Sequence, residues 1–112
     1  MIKPSDPRQL AIDLLPRSVC AVRVAAVIAD PKGRIVSWGW NSSGRDGLGE
    51  HAEMAALRRA NRRRLRGASI FVASVRGKPI TSRPCHICHY RLVDAGLREI
   101  RYMDRDGLWR WA

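Results

Sequence analysis

Cys85 and Cys88 stand three positions apart in the stretch "PCHICH", residues 84–89, interleaved with His86 and His89, in a chain whose one other cysteine is Cys20. A close Cys-x-x-Cys pair without an even disulfide framework points to metal or redox chemistry. A helix that starts at Pro84 sets both sulfurs on one face, where they can share one ion, and the positive helix end favours their thiolate forms. Zinc takes four ligands in a tetrahedron, and a catalytic zinc keeps one position for water. A third protein ligand must then come from elsewhere, and the histidine outside the cluster is His51, which opens "HAE" with Glu53 two positions on.

Plainer readings of the same residues stand beside this one. A structural site would close with His86 or His89 as fourth ligand, but it gives Glu53 no part. A thioredoxin-like redox pair follows an early strand, whereas this pair lies late in the chain. Otherwise His86 and His89 read as surface residues, Glu53 as a carboxylate favoured by a helix start, and Cys20, set among Val and Ala, as a small buried hydrophobe.

Positioning these groups is the task of the elements around them. "SDPRQLAIDLL", residues 5–15, reads as a first helix with a Ser/Asp cap and an early proline. Residues 20–30 and 34–41, "CAVRVAAVIAD" and "RIVSWGWN", read as a hairpin around "PKGR". Residues 50 to about 64 read as a helix running into the arginine run "RRANRRRLRG" and stopping at Gly67. "ASIFVASV", residues 68–75, is a buried strand; "RGKPITSR" is loop; "PCHICHYRLVDAG" is a helix ended by Gly96. "REIRYMD" and "LWRWA" form strands about a tight "RDG" turn, a C-terminal β-hairpin. The order α-β-β-α-β-α-β-β is that of an α/β sandwich with helices covering a mixed sheet. From Glu53 to Cys85 is 85 − 53 = 32 positions, the length of a crossover that returns two helix N-termini to one sheet edge, so the histidine and both thiols can meet. Trp38 and Trp40 share one strand face, opposite Gly39 and Asn41, and are expected in the core. Trp109 and Trp111 alternate in the same way and read as cover for the sheet or an oligomer contact.

Length and composition bound the rest. The 112 residues suit one domain spanning the whole chain, with 46% hydrophobic residues to fill its core. The first residues lack the pattern of a secretory signal, and the longest apolar run, "VCAVRVAAVIA", is broken by Arg23 and shorter than a membrane span. A cytoplasmic protein with no membrane partner is the expectation. Twenty-one Lys+Arg against 10 Asp+Glu give a net charge of +11. Such a surface attracts polyanions, although the dominance of arginine also matches the coding bias of a GC-rich genome.

"HAE" followed by "PCHIC" resembles the H-x-E…P-C-x-x-C signature of the zinc-dependent cytidine deaminase-like superfamily. The resemblance runs from about residue 21 to the end. "GWNSSG" is similar to the strand-end Gly-x-Asn stretch with which tRNA-acting members hold the substrate sugar, which makes Asn41 the matching position. The resemblance implies a three-layer sandwich with a mixed five-stranded sheet, a Zn2+ cofactor held by His51, Cys85 and Cys88, and hydrolytic deamination with Glu53 moving the proton from water to ring nitrogen to ammonia. By position it also implies that the Ala52 backbone N–H and groups near Cys85, including Ser82 and Arg83, hold the base edge, that Asn41 holds the ribose, and that Tyr102 supplies the aromatic found near the base in polynucleotide enzymes.

Members of this superfamily act on free cytidine, deoxycytidylate, guanine, adenosine in tRNA, or cytosine in single-stranded DNA or RNA. The tRNA adenosine enzymes have Glu before "PC", where this chain has Arg83. Free cytidine deaminases begin the motif with Cys-Ala-Glu, where this chain has His51. Single-stranded nucleic acid is the expected substrate, with Arg58, Arg59, Arg62, Arg63, Arg64, Arg66 and Arg83 as candidates for backbone contacts. A free pyrimidine nucleoside or nucleotide is the alternative, and a non-enzymatic, zinc-stabilised nucleic-acid-binding module the remote one. A homo-oligomer is compatible with the sequence, which does not set its order.

Overall fold

Asp6 opens the first helix, α1 (Pro7–Leu14), by accepting the Arg8 backbone N–H at 2.9 Å, with Pro7 at the first helical position where no N–H is needed. It belongs to a computed structural model that describes residues 6–43 and 49–112. A 3-10 turn, Leu15–Arg17, leads to β1 (Arg23–Ala29) and β2 (Ile35–Trp40), an antiparallel pair. Their connection is held by Asp30, whose Oδ1 accepts the Lys32 and Arg34 backbone N–H groups, and by Gly33 at φ +82°. Then come α2 (Ala52–Arg59), β3 (Ser69–Arg76), a two-residue β4 (Lys78–Pro79), α3 (His86–Asp94), β5 (Glu99–Met103) and β6 (Trp109–Trp111).

The sheet runs β2-β1-β3-β5-β6, with β4 paired to the end of β3. Both β2 and β3 are antiparallel to β1, and β5 is parallel to β3. β2, β3 and β5 therefore point the same way, and each helix that links two of them must leave from the same sheet edge. That geometry puts the N-termini of α2 and α3 side by side. β1 is buried almost throughout because both faces are covered. On one face Ala26, Ile28, Ile70, Val72 and Ile100 pack under α2 and α3; on the other Ala25, Val27 and Ala73 pack under α1. The Ser37 hydroxyl donates to the Ala56 carbonyl at 2.8 Å and ties α2 to β2.

Three sequence expectations change here. The second helix ends at Arg59 rather than near residue 64, because Ala60 is extended and the Asn61 side chain accepts the Arg63 N–H, starting a separate 3-10 turn at Arg62–Arg64. Part of the expected 76–83 loop pairs as β4. Trp38 is 43% exposed rather than in the core, whereas Trp40 packs beside α1 with the Arg59 guanidinium 4.7 Å from its ring centre. Trp109 covers the sheet edge-on to Phe71, while Trp111 is exposed, its Nε1 donating to Glu99.

Candidate metal centre and its cleft

Both helix starts at the shared sheet edge carry ligand-type residues at the cap position. His51 is the N-cap of α2, in extended conformation, and its imidazole makes no capping bond, which leaves the ring free. Cys85 is the N-cap of α3, with its Sγ accepting the Cys88 N–H at 3.5 Å, and Cys88 follows in the first turn. His51 Nδ1 lies 3.1 Å from Cys88 Sγ and 4.0 Å from Cys85 Sγ, and the three ligand atoms all fall within 4.8 Å of one another. A tetrahedral zinc with ordinary bond lengths needs about 3.6 Å between N and S and about 3.8 Å between the sulfurs. The two N–S distances bracket the first value, and the two thiols and one imidazole are a donor set that zinc takes, so the residues fit Zn2+. His86 and His89 are not part of the cluster.

Glu53 sits two residues past His51, 5% exposed. Burial pushes its carboxyl above the usual range, while its own backbone N–H, His51 and the Cys88 thiol pull the other way. Burial foremost, then the Glu53 charge, hold the Cys88 thiol up at about 12, and the neighbouring Cys85 thiol adds to both. A carboxyl held above its ordinary value keeps a proton more readily than an exposed glutamate does. Glu53 lines the same cleft as His51 and Cys85 of the thiol and imidazole cluster.

The cleft has a volume of about 230 Å³ and is lined by Val22, Val24, Asn41, His51, Ala52, Glu53, Ser74, Ile80, Thr81, Ser82, Arg83 and Cys85. It thus brings together eight of the nine residues expected at the site, if Cys88 is counted with its cluster. Tyr102 is the exception: it is 7% exposed in the core under α2 and α3, because its strand register turns it to that face, and it does not line the cleft. Cys20 is half-buried, its thiol donating to the Asn41 carbonyl at 3.8 Å. Sequence reasoning missed Ser18 and Ser74. Ser18 donates to Asn41 Oδ1 at 2.6 Å, and the buried Ser74 hydroxyl donates to Ser82 Oγ at 2.7 Å. Neither stands near a motif, so no local signal marks them.

Of the candidate arginines Arg83 alone lines this cleft, while the Arg58 and Arg59 guanidinium groups end beside Glu50 and Trp40, the residues that precede His51 and Asn41. Arg58 and Arg59 fall in the last turn of α2, about 12 Å along the helix from His51. Arg58 pairs with Glu50 at 2.9 Å, and Arg64 with Asp30 at 3.5 Å. Asp30 follows the last residue of β1, whose first residue lies beside the Val22 and Val24 end of the cleft. No helix among the described residues is long and apolar enough to cross a membrane.

Residues 8–104 match the family model for the zinc-binding region of cytidine and deoxycytidylate deaminases. Nothing among the curated proteins matches the chain. Among solved structures, a cytidine deaminase from Burkholderia pseudomallei is similar at TM-score 0.72 and 22% identity, over 99% of this chain and 92% of that one. A dCMP deaminase from the cyanophage S-TIM5 is similar at TM-score 0.66 and 21% identity, over 91% and 83%. A cytidine deaminase from Mycobacterium leprae is similar at TM-score 0.64 and 17% identity, over 93% and 88%. At these identities the structural likeness establishes the fold.

Proposed function

The chain belongs to the family of cytidine and deoxycytidylate deaminases, and from that premise we propose that it hydrolyses the exocyclic C–N bond of the cytosine in a pyrimidine nucleoside or nucleotide, giving uracil and ammonia. One observation carries the reading: the buried Glu53 carboxyl shares the cleft wall with the His51, Cys85 and Cys88 cluster. Zinc, when bound there, supplies a Lewis acid that makes a water nucleophilic near neutral pH.

The chain's own residues then handle the substrate and the protons. Glu53 takes one proton from the water as its oxygen bonds to the amino-bearing ring carbon, and gives that proton to the ring nitrogen; it then carries the remaining hydroxyl proton to the amino group, so that the exocyclic C–N bond breaks, ammonia leaves and the uracil carbonyl forms. The Ala52 N–H and the Ser82 and Arg83 segment meet the base edge, and Asn41 meets the sugar. At about 230 Å³ the cleft falls below the roughly 300 Å³ at which pockets for drug-sized ligands begin, which leaves room for one nucleoside at most. The whole chain acts as one domain, in the cytoplasm, where its three thiols stay reduced.

Cytosine in single-stranded DNA or RNA is the second reading. It draws on the net charge of +11 and on Arg83 at the cleft. The monomer is favoured because, of the seven candidate arginines, Arg83 alone lines the cleft. The deciding experiment is uracil formation by the zinc-loaded protein on cytidine, deoxycytidylate and single-stranded oligonucleotides at low and high salt. Turnover of monomers with little salt dependence supports the first reading. Turnover confined to oligonucleotides, falling steeply with salt, replaces it by the second. Conversion of none of them refutes both.

A further inference from the structure

Asn41 follows the last residue of β2 with its side chain held on three sides. Its Oδ1 accepts the Ser18 hydroxyl hydrogen at 2.6 Å and the Val24 backbone N–H at 3.0 Å, and its Nδ2 donates to the Val22 carbonyl at 2.8 Å. A side-chain amide offers two acceptor sites and two donor hydrogens. Both acceptor sites and one hydrogen are engaged inside the protein. What the amide has left for the cleft it lines is the second Nδ2 hydrogen.

The Ser18 hydroxyl has one course open to it. It is 1% exposed, and its oxygen already accepts the Cys20 backbone N–H at 3.2 Å, so its hydrogen goes to Asn41. Turning the Asn41 amide over would set its NH2 against the Val24 N–H and its oxygen against the Val22 carbonyl. Two buried mismatches oppose that flip, and each is costlier than a hydrogen bond is worth.

We propose that Ser18 is a positioning residue: with Val24 it locks the Asn41 amide so that Asn41 faces the substrate as a hydrogen-bond donor. A donor fixed at that place selects an oxygen of the sugar as its partner and rejects a second donor. The inference rests on the reading of the cleft as a nucleoside deaminase site in which Asn41 meets the sugar.

The test compares the parent chain with Ser18→Ala and Ser18→Thr, all zinc-loaded, on cytidine and on 2′,3′-dideoxycytidine. Ser18→Ala is expected to lower kcat/KM for cytidine about tenfold, chiefly through KM, and to leave the dideoxy analogue within about twofold. Ser18→Thr keeps the hydroxyl and is expected to restore cytidine turnover. Equal losses on both substrates, or no loss on cytidine, overturn the proposal. If Ser18→Ala does not fold, Ser18→Cys, a weak donor of similar shape, takes its place. A second measurement needs no turnover: in 15N-labelled protein, one Asn41 side-chain hydrogen is expected to exchange slowly, and faster in the Ser18 variant. Unchanged amide signals overturn the lock, whereas an unlocked variant in a parent chain that converts neither cytidine, deoxycytidylate nor oligonucleotides upholds the lock and refutes only the deaminase reading.

Discussion

Gly39 and Ala56 meet backbone to backbone: a Cβ built on Gly39 would lie 2.6 Å from the Ala56 amide nitrogen, 2.7 Å from Ala55 Cβ and 2.9 Å from the Ala52 carbonyl oxygen. The absence of a side chain at this point of β2 is what lets α2 lie flat on the sheet with His51 and Glu53 at its start. Gly39→Ala is expected to push α2 outward and to destabilise the fold by ~1–3 kcal/mol, as overpacking does. A lower melting temperature together with weaker zinc retention checks it; an unchanged melting curve would refute the close contact.

Glu53→Gln keeps the shape of the side chain and removes its ability to carry a proton. Turnover is expected to fall by about 10²- to 10⁴-fold, while zinc content by atomic absorption stays at the parent value. Loss of zinc along with activity would instead make Glu53 part of the metal site.

Zinc affinity should rise with pH, and the sign follows from the thiols. Without metal, burial keeps the Cys88 thiol protonated, at about 12. Zinc binds thiolate, so each proton displaced makes affinity about tenfold higher per pH unit, and two thiols give up to about a hundredfold. Chelator competition between about pH 6 and 8 measures the slope. A flat profile would exclude the thiols as ligands.

Arg62→Ala and Arg63→Ala, alone or together, are expected to leave kcat/KM on cytidine within about twofold, because neither lines the cleft. Arg83→Ala should weaken turnover of deoxycytidylate relative to cytidine by about tenfold or more, the effect of losing a charge-assisted contact to phosphate. Steady-state kinetics on the two substrates tests this. An equal effect of Arg83→Ala on both would place its side chain away from the phosphate.

Much of the metal cluster was legible in the sequence because its signals are local. Cys85 and Cys88 owe their nearness to their three-residue spacing across the start of α3, which Pro84 marks, whereas the α2 start has no capping side chain to announce it. The Asn61 cap inside the arginine run is local too, yet the continuity of helix-favouring residues around it masks it. Trp38 shows the reverse: period two sets it on the same strand face as Trp40, but nothing local says that α1 stops short of covering it.

By itself the sequence determined the order of the main elements, β4 apart, and the identity of the thiol and imidazole donors from residue type, spacing and crossover length, while the part of Glu53 beside them came from the family signature. Only the tertiary structure decided that Ser18 would hold Asn41 from 23 positions away, that Tyr102 would face the core, and that Arg83 alone of the candidate arginines would line the cleft. Those outcomes depend on strand register and on which end of a helix meets which edge of the sheet. Register and docking are set by burying apolar surface summed over the whole domain, a quantity that no short stretch of sequence contains.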